Sequence, residues 1–203
     1  MIEFLYSLDV AVFRFINVTL ANPVGDLLWP LITNYDKMLP VRIVLLAVWL
    51  LLVIRGGARG RTVAFLVIPV VFCADKLSSA VIKELVARPR PCHDIGGVPI
   101  VQGIHMLVEC GSGRSFPSSH AVNNFAAATL FSTYYRRWRW WLFGWAAIVA
   151  LSRPAVGVHY PSDILGGAVL GASIALALVF LWTKAARTFF PRLVLDSAGE
   201  PES

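Results

Sequence analysis

Three short clusters of polar residues stand among the long apolar segments of this 203-residue chain. Their members are cations, imidazoles, hydroxyls and one carboxylate: Lys83, Arg90, Ser118, Ser119, His120, Arg153, His159 and Asp163. Ionisable groups within or beside membrane segments are costly to bury, so they indicate function by default. Cations suit an anion such as phosphate, and two imidazoles suit nucleophilic attack and proton transfer. The clusters therefore predict a site that handles phosphate.

The first cluster joins the end of one apolar segment to the connection that follows it. Lys83 lies near the end of the segment, and Arg90 follows seven residues later, between two prolines that stop a helix. Arginine presents a planar fork that matches phosphate, and lysine presents a compact point charge. The two cations could bind phosphate, or they could be interfacial side chains that snorkel towards the headgroups.

The second cluster opens a helix. Ser118 is a natural N-cap, and the first helical turn offers free N–H groups and a positive dipole end to an anion. His120 would then lie beside that anion, with Ser119 in the same turn. The alternative is an ordinary capped helix with an incidental histidine.

The third cluster is the most specific. Arg153 ends one apolar segment. His159 comes just before the helix start that Pro161 predicts, and Asp163 follows four residues later. The carboxylate can reach back to one imidazole nitrogen, which fixes the tautomer and leaves the other nitrogen free to attack. An ordinary aspartate cap beside a histidine is the alternative.

The rest of the chain has the composition of a membrane protein. It is 57% hydrophobic and 15% charged, where a soluble domain usually has about 25% charged residues, and its mean hydropathy is +0.68. The apolar segments approach the roughly 20 residues that a spanning helix needs. The clearest are 38–54, 62–86, 118–135, 138–152 and 164–182.

We therefore predict an all-α integral membrane helical bundle of about six transmembrane helices. It forms a single domain over residues 1–196, in which residues 1–35 are an amphipathic or broken helix, and residues 197–203 form a disordered tail. The net charge of +6 comes from the short connections, which argues for membrane topology and against a nucleic-acid partner.

The basic connections also predict the orientation. Those at 55–61, 136–139 and 184–192 fall on one side if the spans alternate, and the positive-inside rule makes that side cytoplasmic. All three polar clusters then lie on the outer, periplasmic or extracellular, face of the plasma membrane.

Two cysteines bracket the longest polar connection. If this connection faces an oxidising compartment, Cys92 and Cys110 can form a disulfide. Zinc binding with His93 or His105 is the alternative, although the ligand spacing is not a recognised one.

Taken together, the spacings resemble the type 2 phosphatidic acid phosphatase superfamily of membrane lipid phosphatases, over about residues 66–171. The family's pattern is Lys, six residues, Arg-Pro; then Pro-Ser-Gly-His; then Ser-Arg, five residues, His, three residues, Asp. The chain departs from it at one position, with Ser119 where glycine is usual. The matching residues are Lys83, Arg90, Pro91, Pro117, Ser118, His120, Ser152, Arg153, His159 and Asp163.

The resemblance implies an acid-phosphatase and vanadium-haloperoxidase-like core and a lipid phosphatase that needs no metal or other cofactor. His159 would attack phosphorus to form a phosphohistidine, and Asp163 would orient it. His120 would act first as general acid and then as general base. The phosphate would be bound by Lys83, Arg90, Ser118, Ser119 and Arg153.

The expected substrate is a lipid whose phosphate lies at the interface while its tail stays in the bilayer. The resemblance allows undecaprenyl pyrophosphate, phosphatidic acid, phosphatidylglycerol phosphate or a lipid A phosphate, and we favour the first. Two other functions stay open: a phosphotransferase that moves phosphate from a polyprenyl pyrophosphate to an acceptor lipid, and a non-enzymatic lipid-phosphate binder or transporter.

Overall fold

The computed structural model describes residues 2–189, which are mainly helical, with one short β-ribbon in the otherwise irregular connection over residues 87–118. The seven helices of this part of the chain are α1 (Ile2–Arg14), α2 (Pro23–Thr33), α3 (Leu39–Arg55), α4 (Gly57–Val86), α5 (Ser119–Tyr134), α6 (Arg139–Ala155) and α7 (Pro161–Phe189). The ribbon pairs β1 (Asp94–Ile95) with β2 (Val98–Pro99) in antiparallel fashion. The tail predicted at 197–203 lies outside the described residues.

Two of the helices deviate from regular α-geometry. A wider π-helical turn, Phe15–Thr19, continues α1, and α4 contains a second one, Leu77–Ile82. The second lies one turn before the end of α4, where Lys83 is placed. Turns of this kind are frequent at functional sites because they re-aim the side chains around them.

Local sequence explains where the helices around the site begin and end. Helix α4 ends because Ala87 adopts a left-handed conformation with φ of 50°, and Pro89 cannot continue a helix. Helix α7 begins at Pro161, whose missing N–H is no loss in the first turn.

Helix α5 is at the centre of the bundle and packs against α4, α6 and α7. Its inner face joins buried Val122 and Leu130 to Val70 of α4 and Ala175 of α7. The contact with α7 is close because of glycine: a Cβ added at Gly171 would lie 2.1 Å from the carbonyl oxygen of Val122. This packing fixes the first turns of α5 and α7 side by side.

The structure shows fewer candidate membrane spans than the six predicted, by helix length and composition. Two helices in the described chain, Gly57–Val86 and Pro161–Thr188, are long and apolar enough to cross a membrane. A third span results if the bent pair Glu3–Thr19 and Pro23–Thr33, which turns by 115°, counts as one. Helices α3, α5 and α6 have 17, 16 and 17 residues. At 1.5 Å per residue they fall short of the roughly 30 Å hydrocarbon core, so the structure does not show six spans.

The N-terminal pair contacts one end of the bundle. Asn17, which is buried, donates to the carbonyl oxygens of His105, at 2.8 Å, and Ala155, at 2.9 Å. Arg14 donates to the carbonyl oxygen of Gln102 at 2.8 Å. Helices α1 and α2 therefore pack on the connections that carry the polar clusters.

Candidate active site

His159 and Asp163 form the centre of the site at the start of α7. Asp163 follows in the first turn, and its Oδ2 lies 3.3 Å from Nδ1 of His159 and accepts the N–H of Tyr160 at 2.8 Å. The two side chains are 2% and 0% exposed. A carboxylate that accepts a hydrogen bond from Nδ1 holds the proton there and leaves the Nε2 lone pair free.

The environment of His159 keeps its imidazole neutral. Burial lowers the pKa of His159 from 6.5 to about 3; the hydrogen bond with Asp163 opposes this shift, and the charges of Arg153 and Arg90 add to it. A neutral imidazole is the nucleophilic form, so this environment is compatible with the nucleophilic role predicted for His159.

The three cations predicted to bind phosphate lie near this pair. Arg90 and Arg153 are 9% and 8% exposed, and Lys83 lies within electrostatic reach of both arginines and of Asp163. Arg90 donates from Nε to the carbonyl oxygen of Gly113 at 2.7 Å, and Arg153 donates from Nη1 to the hydroxyl of Thr33. Like charges repel strongly when buried, so this arrangement is suited to an anion between them.

The first turn of α5 lies beside the first turn of α7, at the same site. Ser118 occupies the N-cap position, and its N–H donates to the carbonyl oxygen of Asp163 at 3.1 Å. Its hydroxyl makes no cap hydrogen bond, so the predicted side-chain cap is absent. Among the described residues, the buried atoms without a partner include Ser118 Oγ, His120 Nε2 and Arg153 Nε. Buried polar atoms are rarely left unpaired, so these three call for a ligand.

A cavity of about 600 Å³ begins at Ser119 and His120 and runs between α3, α4 and α5. Its walls are largely apolar and include Trp49, Val67 and Phe131. Such a cavity suits an apolar chain attached to the group that His120 faces.

The structure also brings in three residues that sequence reasoning missed. The hydroxyl of buried Ser115 donates to Oδ2 of Asp163, and Arg88 donates to Oδ1 at 2.7 Å. Asp9 of α1 binds Arg88 in turn, with 2.6 Å between Oδ2 and Nη2. The only local signal is that Arg88 lies two residues before Arg90; nothing in the sequence pairs Asp9 or Ser115 with Asp163.

Cys92 and Cys110 form a disulfide, which closes the connection between α4 and α5. This bond uses both sulfurs and does not support the zinc alternative. The two histidines considered for zinc are otherwise engaged: Nε2 of His93 lies 3.0 Å from the carbonyl oxygen of Gly111, and Nε2 of His105 lies 2.9 Å from Asp26.

Two relatives that the chain matches over most of its length are lipid phosphatases. The chain is 29% identical to a lipid A 4'-phosphatase of Bacteroides thetaiotaomicron over 84% of this chain and 75% of that protein. It is 27% identical to an undecaprenyl-diphosphatase of Bacillus subtilis over 85% of this chain and 82% of that protein.

Two crystal structures share the fold. Aquifex aeolicus LpxE superposes with a TM-score of 0.68 at 23% identity, over 85% of this chain and 95% of that one. A transmembrane phosphatidylglycerolphosphate phosphatase of PAP2 type from Bacillus subtilis superposes with a TM-score of 0.64 at 22% identity, over 89% of this chain and 87% of that one.

The decisive comparison is with a family model. The model of the PAP2 superfamily matches residues 61–187, which is more than half of the chain and includes all three polar clusters. The chain therefore belongs to the PAP2 superfamily and is a membrane lipid phosphatase.

Proposed function

We propose that the protein hydrolyses a lipid phosphate through a covalent phosphohistidine on His159, using its own side chains rather than a metal. The observation that carries this proposal is that three of the five unpaired buried atoms among the described residues, Ser118 Oγ, His120 Nε2 and Arg153 Nε, belong to the predicted site of the neutral His159. A phosphoryl group placed there would give each of these atoms a partner. The cations would stabilise the charge that grows on its oxygens.

The first step transfers the phosphoryl group to the enzyme. The Nε2 lone pair of His159 attacks phosphorus, and the bond from phosphorus to the lipid oxygen breaks. His120, which the negative charge of the bound phosphate keeps protonated, gives its proton to that oxygen. Asp163 accepts the Nδ1–H of His159 and so stabilises the positive imidazole ring that forms. In the second step His120 takes a proton from water, the hydroxide attacks phosphorus, and the phosphorus–nitrogen bond breaks to release phosphate.

The cavity at His120 supports a lipid as the leaving group. Because His120 protonates the departing oxygen, the lipid must lie on the His120 side of phosphorus, where the cavity between α3, α4 and α5 begins. Its apolar walls would take a tail while the phosphate stays at the end of the bundle.

The charges of this cavity bear on the substrate class. Asp36 and Asp75 line it together with His120, and no lysine or arginine is among the described residues of its wall. A diphosphate would place its second phosphate beside these carboxylates, whereas a phosphomonoester would place an uncharged alcohol oxygen there. Like charges repel, so the cavity supports a phosphomonoester, in contrast to the diphosphate favoured by the sequence. The similarity to the lipid A 4'-phosphatase supports a lipid A phosphate as that monoester.

Undecaprenyl diphosphate is the second candidate. It is supported by the similarity to the undecaprenyl-diphosphatase of Bacillus subtilis, which extends over most of both chains. A single polyprenyl tail would also suit one apolar cavity.

We further propose that the helices α3 to α7 all cross the plasma membrane, with the site on its outer face. The shorter helices α3, α5 and α6 would cross where the bilayer thins locally around them. The basic connections at 55–61 and 136–139 then lie on the cytoplasmic side. The disulfide between Cys92 and Cys110 supports an oxidising setting for the connection near the site.

The test is phosphate release by the purified protein in detergent. Lipid A, phosphatidic acid, phosphatidylglycerol phosphate and undecaprenyl diphosphate are assayed side by side, with His159→Ala as the control. We expect release from a monoester that is lost in His159→Ala, together with a radiolabelled, acid-labile phosphoenzyme in the wild type. Activity that survives in His159→Ala would refute the phosphohistidine.

A further inference from the structure

Arg88 connects two carboxylates that are far apart in the sequence. Its Nη1 donates to Oδ1 of Asp163 at 2.7 Å, and its Nη2 donates to Oδ2 of Asp9 at 2.6 Å. Nη1 also lies 2.6 Å from the hydroxyl of Ser162. The guanidinium therefore holds the oxygen of Asp163 that His159 does not use.

Asp9 closes this arrangement from helix α1, which lies before the region that the family model matches. Its Oδ1 accepts the N–H of Ser162 at 2.9 Å, and its Oδ2 accepts the hydroxyl of the same residue. The Asp9 side chain is only 9% exposed. One carboxylate of α1 therefore binds both Arg88 and the first turn of α7.

The guanidinium has little freedom to move. Its central carbon lies 4.1 Å from the centre of the Tyr160 ring, a cation–π contact. The backbone of Arg88 is also held, because its carbonyl oxygen accepts the N–H of Ser115 at 2.7 Å. Burial alone would lower the pKa of Arg88, but the charges of Asp163 and Asp9 outweigh it and raise the pKa, so the side chain stays charged.

We propose that Asp9 and Arg88 are positioning residues for the reaction: through Asp163 they fix the orientation of the His159 imidazole. This inference rests on the proposed role of His159 as the nucleophile. Neither side chain is assigned a contact with the substrate.

The contacts from Asp9 through Arg88 to Asp163, here called the relay, are needed because Asp163 is buried. Its Oδ2 has three neighbours, namely Ser115, the N–H of Tyr160 and His159, whereas the Oδ1 contact that the structure gives is with Arg88. Without the guanidinium a fully buried carboxylate oxygen would lose its charged partner, and rotation of the carboxylate would become easier. Without Asp9, Arg88 would lose the second of its two anchors.

The experiment compares the variants Asp9→Asn, Arg88→Lys and Arg88→Gln of the full chain in detergent, with lipid phosphate as substrate. We expect kcat to fall by about 10- to 100-fold in Asp9→Asn, by analogy with the loss of groups that orient metal-binding histidines, while KM stays unchanged. Arg88→Gln should lower kcat further than Asp9→Asn does. Arg88→Lys should recover part of the loss because an ammonium can reach one carboxylate but cannot bridge both.

The matched control is Glu3→Gln, which neutralises an exposed carboxylate of the same helix and should leave kcat unchanged. A second readout needs no turnover: NMR of protein labelled with 15N-histidine. The wild type should show His159 as a single neutral tautomer protonated at Nδ1, and Asp9→Asn and Arg88→Gln should show a mixture of tautomers.

The outcomes separate this inference from the proposed function. Wild-type kcat and an unchanged His159 tautomer in folded Asp9→Asn would overturn the relay, even if Arg88→Gln does not fold. If the wild type releases no phosphate from any lipid, the proposed function fails, and the tautomer comparison still decides whether Asp9 and Arg88 orient His159.

Discussion

Removal of the Ser115 hydroxyl tests how much the orientation of Asp163 contributes to catalysis. Ser115 is fully buried, and its hydroxyl donates to Oδ2 of Asp163 and lies 3.4 Å from Nδ1 of His159. The substitution Ser115→Ala removes this one oxygen. It keeps the main-chain hydrogen bond from the Ser115 N–H to the carbonyl oxygen of Arg88, so the local backbone should stay in place.

The expected magnitude follows from the charge of the acceptor. A hydrogen bond to a charged group contributes about 1.5–3 kcal/mol. At about 1.36 kcal/mol per tenfold change in rate, the full effect on the transition state corresponds to a fall in kcat of about 10- to 150-fold. Asp163 keeps Arg88 and the N–H of Tyr160 as partners, so the loss should lie nearer the lower limit.

The assay is steady-state phosphate release from the best lipid substrate, which yields kcat and KM separately. KM should not change, because the side-chain hydrogen bonds of Ser115 are with Asp163 and His159, which are not among the predicted phosphate-binding residues. Ser112→Ala is the matched control, since Ser112 is an exposed serine in the same connection. A thermal unfolding midpoint close to that of the wild type would show that the fold is intact.

Two results would refute this reasoning. If kcat of a folded Ser115→Ala variant equals that of the wild type, the hydroxyl does not help Asp163 to orient His159. If KM rises tenfold while kcat is unchanged, Ser115 binds the substrate instead of supporting the nucleophile.

Three further predictions concern pH, the disulfide and helix packing. The pKa of His159 is about 3 in the folded protein and 6.5 in the unfolded chain, so the unfolded state binds more protons between these pH values. The free energy of unfolding should therefore fall as pH falls from about 6.5 towards 3. Chemical denaturation of the wild type and His159→Ala at several pH values measures this contribution. Replacing Cys92 and Cys110 with serine should lower phosphate release and thermal stability, because the disulfide restrains the connection whose Gly113 carbonyl holds Arg90; activity equal to that of the wild type would argue against this restraint. Gly171→Ala should destabilise the protein by about 1–3 kcal/mol because its Cβ would clash with the backbone of α5, and an unchanged midpoint in thermal unfolding would show that the contact relaxes freely.

Much of the fold was predictable from hydropathy. The apolar segments 38–54, 118–135 and 138–152 correspond to α3, α5 and α6 within a few residues. Residues 1–35 were predicted as an amphipathic or broken helix, but hydropathy does not give the angle at which a helix bends. The break between α1 and α2 turns the chain by 115° and directs both helices along the connections at the site.

The contacts at the site were also predictable only in part. His159 and Asp163 are four residues apart at a helix start, so their contact follows from helical geometry and could be predicted from the chain alone. Ser115 lies 48 residues from Asp163, and Asp9 lies 153 residues from Ser162. Contacts of this length depend on how whole helices pack.

The sequence by itself determined the class of this protein: a helical membrane protein with cations and two histidines at the spacings of a lipid phosphatase. Those features are local or compositional, and they persist however the helices pack. Only the tertiary structure decided which groups hold Asp163 in place and which cavity opens at His120. Each of those depends on the close approach of α5 and α7 and on the fold-back of α1, which no short stretch of sequence encodes.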